Sequence, residues 1–237
     1  MAKCSLGDVV IYETDVSTLK PGQWVGDKAI AYLFESFAIA SEAAQTQQVV
    51  LLEPSTTFMA AMVGDADMLK EMLSQPRQKG AKSLADALAA ADVVVIPVSD
   101  NTDAEEAGGG GHWSLLVFRR GGFDGSEPSR CFQHYDSCGH ANSPHAIKIM
   151  KVMCKLLMPE GVPRTMQLVK MNTPQQANGF DCGVYCLAIA EAVVATMAAD
   201  AKMKPDEALA SALEALTPDA INEKRKGWFE LMSSKLA

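Results

Sequence analysis

Apolar positions along this chain follow two textures, and the change comes near Asp92. Before it the spacing is mostly helical. Ile30, Leu33, Phe34 and Phe37 fall at i, i+3, i+4 and i+7, which predicts an amphipathic helix from Asp27 to about Ala43 with Asp27 as its N-cap. Pro54 to Leu73 reads as helical, broken at Gly64-Asp65, and Ser83 to Ala90 as a short helix or turn. A strand is expected over Asp8 to Tyr12, followed by a linker, Thr18 to Trp24, with Pro21-Gly22 as turn punctuation.

After Asp92 strands take over. Val93 to Val98 is an unbroken apolar run, the pattern of a strand buried on both faces. Ser114 to Arg119 and Arg130 to Ser137 read as a hairpin pair, joined by the Gly/Pro-rich stretch 120–129 as an exposed loop. Thr165 to Met171 is a fourth strand in this region. Ser143-Pro144 carries a cap-then-proline signature for a helix to about Leu157, and Thr217-Pro218 repeats it for a last helix to about Leu236. Between these, Gly183 to Ala199 is apolar enough for a buried helix, and Pro205 to Leu216 is helical. With no internal repeat and no dividing linker, residues 1–237 predict a single α+β domain with a central sheet.

Composition narrows the class. At 237 residues and 48% apolar the chain can bury a full core, and no run of 18 apolar residues suggests a membrane span. The opening residues, Met1 to Asp8, lack a signal peptide's apolar stretch, which leads us to expect a protein of the cytoplasm or nucleus. A net charge of −8 argues against a nucleic-acid partner, because such domains carry a basic face, and an acidic surface suits a basic protein partner instead. Six cysteines in a chain of this length do not form a disulfide framework and are expected as free thiols.

One cysteine stands apart. Cys182 sits where the loop 175–181 hands over to the apolar run of the buried helix. Unpaired N–H groups at a helix N-terminus favour an anion, and a thiolate is a nucleophile. His112 opens one predicted strand and Asp136 closes its hairpin partner, so antiparallel pairing would bring base and acid to one end of the sheet. Cysteine, imidazole and carboxylate are the parts of a Cys-His-Asp site. Gln176 and the Cys182 amide are candidate oxyanion donors. Cys186, one turn further on, is expected in the core, and Cys131 and Cys138 as structural or surface thiols. His134 shares strand parity with Asp136 and is expected to pack or hydrogen-bond, His140 and His145 to face solvent, and Trp228 to pack. The glycines at 108–111 lack the Lys-Ser/Thr of a phosphate loop and instead suit a mobile loop.

The runs Gly111-His112-Trp113-Ser114-Leu115-Leu116-Val117, His134-Tyr135-Asp136-Ser137 and Gln175 to Gly183 resemble the sentrin/SUMO-specific cysteine proteases. Segments Asp15–Ala40, Val93–Gly111 and Leu216–Leu236 are similar to the family's deneddylating branch. The resemblance implies a papain-like α+β fold with a mixed or antiparallel sheet flanked by helices and the triad in the order His112, Asp136, Cys182, with Gln176 as oxyanion donor. It also implies a cysteine isopeptidase, acting as a monomer without metal or cofactor, that cleaves after the Gly-Gly tail of a ubiquitin-like modifier. Trp113 and Trp24 match two tryptophans that cover the tail, and only residues lacking Cβ atoms thread between two indoles. Asp27 matches an acidic modifier-contacting position. The chain departs from the family at Trp24-Val25-Gly26-Asp27 and in the expanded 120–129 loop. Removal of SUMO or ubiquitin by the same triad, acyl transfer rather than hydrolysis, and a modifier-binding module without cleavage are the alternatives.

Overall fold

The computed structural model describes residues 2–46, 48–76, 82–103, 105, 109–121, 131–198 and 205–236. In chain order the elements are β1 (Lys3–Leu6), β2 (Val9–Tyr12), α1 (Glu13–Ser17), α2 (Asp27–Ala40), α3 (Glu42–Gln45), β3 (Val49–Leu51), α4 (Pro54–Val63), α5 (Ala66–Leu73), α6 (Leu84–Ala90) and β4 (Val93–Ser99). They continue with β5 (Trp113–Arg119), β6 (Phe132–Tyr135), α7 (Ser143–Leu157), β7 (Leu168–Lys170), α8 (Cys182–Ala198), α9 (Pro205–Glu214) and α10 (Pro218–Ser233).

Five strands form one mixed sheet in the order β3-β4-β5-β6-β7. The β4-β5-β6 centre is antiparallel and each edge is parallel. β1 and β2 make a separate hairpin against α2. The sheet divides two cores. On one face Leu115, Val117 and Tyr135 pack with α2 and α8, and on the other Val94, Ile96, Phe118 and Phe132 pack with residues of α4 to α7. Burial on both faces is why Val93 to Val98 is apolar without alternation. α8 is likewise apolar all round because it lies between the sheet and α2, α9 and α10, and residues 182–190 are all buried.

Local chemistry places most boundaries. The break at Gly64-Asp65 is real: Gly64 takes φ 66 and ends α4, and the Asp65 carboxylate then accepts from Asp67 and Met68 N–H to start α5. Ser83 caps α6 with a reciprocal capping box to Asp86. Thr217 and Pro218 open α10 as expected.

Two expected caps are off by one residue. Gly26, not Asp27, caps α2, and the Asp27 carboxylate accepts from Lys28 N–H inside the first turn. Asn142, not Ser143, precedes α7, and its side chain is drawn to the sheet, where it donates to the Val98 carbonyl at 3.0 Å. The helix from Asp27 stops at Ala40, short of the expected Ala43, where Ser41 caps the separate turn α3. β1, α1 and β3 were not expected, since three to five residues carry too little periodicity. The expected strand over 165–171 shrinks to β7. Most of the expected hairpin loop at 120–129 lies outside the described residues. Among the described residues no helix is long and apolar enough to cross a membrane.

Candidate active site

β5 and β6 end where their chemistry is needed. Leu115 pairs with Tyr135, so His112, just before β5, and Asp136, just after β6, emerge at the same sheet edge. His112 Nε2 and Asp136 Oδ1 are 2.7 Å apart. Asp136 is fully buried, and its carboxylate also accepts from the N–H groups of Cys138 (2.9 Å, Oδ1) and Asn142 (2.9 Å, Oδ2). Burial pushes this carboxyl up, but hydrogen bonds from His112, Asn142 and Cys138 outweigh it and bring its pKa to about 2. Burial likewise pulls the His112 imidazole down, yet Asp136 and Cys182 overcome it and raise its pKa to about 10. These surroundings favour the imidazolium form of His112.

Cys182 is the first residue of α8, close enough to the same imidazole to contribute to its raised pKa. Asp181 is the helix's cap in backbone terms, since its carbonyl accepts from Tyr185 N–H at 2.9 Å. The N–H groups of Cys182, Gly183 and Val184 therefore have no carbonyl of their own helix to bond. Cys182 is 2% exposed, and what opens onto it is a cleft of about 640 Å³ that also touches His112, Trp113, Trp24, Asp27 and Gly111. The sulfur is buried in a cleft wall rather than in aliphatic packing.

Both predicted tryptophans border that cleft. Trp113 donates its indole N–H to the Val25 carbonyl at 2.9 Å, and Trp24, 57% exposed, donates to the Gly179 carbonyl at 2.8 Å. Two glycines make this closeness possible. A Cβ on Gly183 would stand 2.7 Å from Val25 Cβ, so no other residue lets the N-terminal strap lie on the start of α8. Gly110 takes φ 95, and a Cβ there would meet Asp100 Oδ1 at 2.7 Å and Asn101 N at 2.9 Å. Asp100 itself accepts from Gly111 N–H (2.8 Å) and His112 N–H (3.0 Å), pinning the approach to the base. Gly108 lies outside the described residues, while Gly109 to Gly111 line the cleft.

Gln176 is near the site but engaged. Its Oε1 accepts from the Ser137 hydroxyl (2.7 Å) and its Nε2 donates to the Asn178 carbonyl (2.6 Å), which takes one of two amide hydrogens. It is not among the residues lining the cleft.

Several supporting residues escaped the sequence reading. Besides Asp100 and Asn142, Gln175 ties its own loop to the turn after β6: its Nε2 donates to the carbonyls of Asp136 (3.1 Å) and Thr173 (2.8 Å), and its Oε1 accepts from Gly139 N–H (2.8 Å). The doubled Gln175-Gln176 ahead of the nucleophile was the available signal. His134 is buried and pairs with Ser114 Oγ at 3.0 Å, and burial lowers its pKa to about 4. His140 and His145 were expected in solvent but are half-buried. His140, in the turn at φ 65, brings its ring 6.1 Å from that of His134. Cys186 and Cys131 are core thiols raised by burial, Cys138 is exposed, and Trp228 packs on Phe37 at 6.1 Å. No cluster of three or more His, Cys, Asp or Glu suited to a metal occurs among the described residues.

The comparisons with known proteins agree on a class. Residues 23–229 match the Ulp1 protease family, C-terminal catalytic domain, and the chain belongs to that family. It is 34% identical to the probable sentrin-specific protease 8 of Dictyostelium discoideum, over 79% of this chain and 72% of that protein. It is 28% identical to NEDD8-specific protease 1 of Arabidopsis thaliana, over 94% of this chain and 88% of that one. Among solved structures, the C-terminal Ulp1 protease domain in complex with SMT3, the yeast orthologue of SUMO, superposes with a TM-score of 0.62 at 16% identity, covering 99% of this chain and 89% of that chain. That likeness is one of fold, the Ulp1-like mixed sheet flanked by helices.

Proposed function

We propose that this protein is a thiol isopeptidase that removes the NEDD8-type ubiquitin-like modifier from its conjugates and trims its precursor. Residues 1–237 act as one catalytic domain and as a monomer, in the cytoplasm or nucleus, without metal or organic cofactor. The observation that carries the reading is the His112–Asp136 hydrogen bond at 2.7 Å, with His112 and Cys182 lining one cleft and the sulfur close enough to bear on the imidazole's pKa. Family membership and the names of the relatives point to the substrate class.

The triad runs His112, Asp136, Cys182 in chain order. Asp136 occupies Nε2, which leaves Nδ1 of His112 for the sulfur. The thiolate attacks the carbonyl of the modifier's terminal glycine, and its electron pair forms the C–S bond. The resulting oxyanion faces the Cys182 N–H, with a second donor from the Gln176 amide once it turns from Asn178. Each such donor typically stabilises the transition state by about 3–4 kcal/mol. His112 gives its proton to the departing lysine amine, then takes one from the water that releases the acyl-enzyme. Trp24 and Trp113 cover a channel that admits Gly-Gly and rejects side chains. Asp27 offers a carboxylate to a basic patch of the modifier.

A panel of electrophilic probes, each built on one ubiquitin-like protein, tests this directly. Labelling at Cys182 by the NEDD8 probe, with SUMO and ubiquitin probes at least about tenfold slower, is expected. Equal or faster labelling by the SUMO probe would overturn the substrate assignment, and labelling that survives Cys182→Ala would overturn the nucleophile.

A further inference from the structure

Arg225, on α10, is 3% exposed and contributes no lining to the cleft, yet it makes five hydrogen bonds to the two segments beside it. Nε and Nη2 donate to Asp181 Oδ1 at 3.1 and 2.8 Å, and Nη2 also reaches the Phe180 carbonyl at 3.1 Å. Nη1 donates to the carbonyls of Thr18 (3.4 Å) and Lys20 (3.2 Å). Its guanidinium carbon lies 5.8 Å from the centroid of the Phe180 ring. Asp181 in turn accepts from the Asn178 side chain at 2.7 Å and immediately precedes Cys182.

Apart from the Asp181 carboxylate, the acceptors are loop carbonyls, not groups of the core. Thr18 and Lys20 begin the strap that carries Trp24 and Val25. Phe180 and Asp181 belong to the loop whose Gly179 carbonyl holds the Trp24 indole. One planar fork therefore helps fix the spacing between the strap and the nucleophile loop, which the Trp24–Gly179 bond also joins. A lysine has three donors on a point charge and cannot span four acceptors lying in two segments.

We infer that Arg225 is a positioning residue for the modifier's tail: through Asp181 and the Thr18–Lys20 carbonyls it sets the width of the channel between Trp24 and α8. This rests on the protease reading above for its kinetic consequence, but not for its structural one. Bulk at the tail is then controlled from a helix that contributes no lining to the cleft.

The test compares wild type, Arg225→Lys and Arg225→Gln as full chains, at a temperature where thermal unfolding shows each to be folded. Peptide-resolved hydrogen exchange is expected to speed up over residues 18–25 and 178–181 in both variants and to stay unchanged in β4. With a NEDD8-derived fluorogenic substrate, kcat/KM is expected to fall on the order of 10- to 100-fold, chiefly through KM. Alkylation of Cys182 by iodoacetamide, read by mass spectrometry, should change less than about threefold, since a small electrophile needs no channel. In a Trp24→Ala background the Arg225→Lys loss should shrink to within about threefold, because the two residues act on one spacing. Unchanged exchange in both segments, or alkylation that falls as far as turnover, would overturn the inference, as would losses from Arg225→Lys and Trp24→Ala that multiply. If exchange quickens as expected but wild type cuts no modifier, the function assignment fails and the positioning role stands.

Discussion

The two halves of the cleft are built differently. The His112–Asp136 half hangs on the ends of two central strands, with a fully buried carboxylate taking three hydrogen bonds. The Trp24 half is an irregular strap whose indole is more than half exposed and makes one hydrogen bond to a loop carbonyl. A proton-handling pair must not move, because misplacement by an ångström costs orders of magnitude in rate. A roof must admit a chain and release it. Under the proposed function, the contrast suits a fixed pair for chemistry and a yielding cover for substrate.

The largest effect expected from breaking this contrast is at the rigid half. Asp136→Asn keeps the volume but removes the charge that holds the imidazolium and its orientation. Turnover should fall on the order of 10³- to 10⁴-fold, mainly in kcat. Steady-state kinetics check it, and a loss below tenfold would mean that Asp136 does not orient the base.

At the compliant half, Trp24→Ala is expected to cost less and differently. A loss of about 10- to 50-fold in kcat/KM, carried by KM, fits the removal of a cover that acts on binding. A pure kcat loss would place Trp24 in the chemistry instead and erase the distinction.

The smallest effect is on stability and separates half-buried His112 from buried His134. His112 has its pKa raised from 6.5 to about 10, so its contribution is complete below pH 6.5 and is lost as pH rises towards 10. His134 has its pKa lowered from 6.5 to about 4, so its contribution is complete above pH 6.5 and is lost as pH falls towards 4. Asp136, lowered from 3.8 to about 2, adds a further loss only below pH 3.8. Thermal stability should therefore peak near pH 6.5. His134→Gln, which keeps a partner for Ser114, should flatten the profile between pH 4 and 6.5 and leave the alkaline limb intact. A variant with the same acid limb as wild type would remove His134 as its cause.

Much of this architecture was readable from residue patterns, and the unread parts share a physical reason. Val93 to Val98 and the helix after Cys182 are long and uniformly apolar, because both are buried all round. The breaks at Gly64, Ser83 and Thr217 carry their own cap chemistry. The short pieces β1, α1 and β3 are formed by tertiary pairing and leave no periodic trace. Within the site, His112, Asp136 and Cys182 stood out because reactive side chains lie beside motif residues. Asp100, Asn142, Gln175 and Arg225 did not, since their role lies in long-range bonds to backbone groups. A carbonyl 205 positions away leaves no mark on the local sequence of an arginine.

The central hairpin has one more consequence. His112 and Asp136 occupy one end of β5 and β6, so the connection between Arg119 and Cys131 leaves from the other, roughly 20 Å of strand away. Length can change between Arg119 and Cys131 while the β5–β6 register keeps the imidazole and carboxylate in contact. That stretch of the sequence is thus a natural port for an inserted reporter or epitope, since it leaves the strand ends opposite His112 and Asp136.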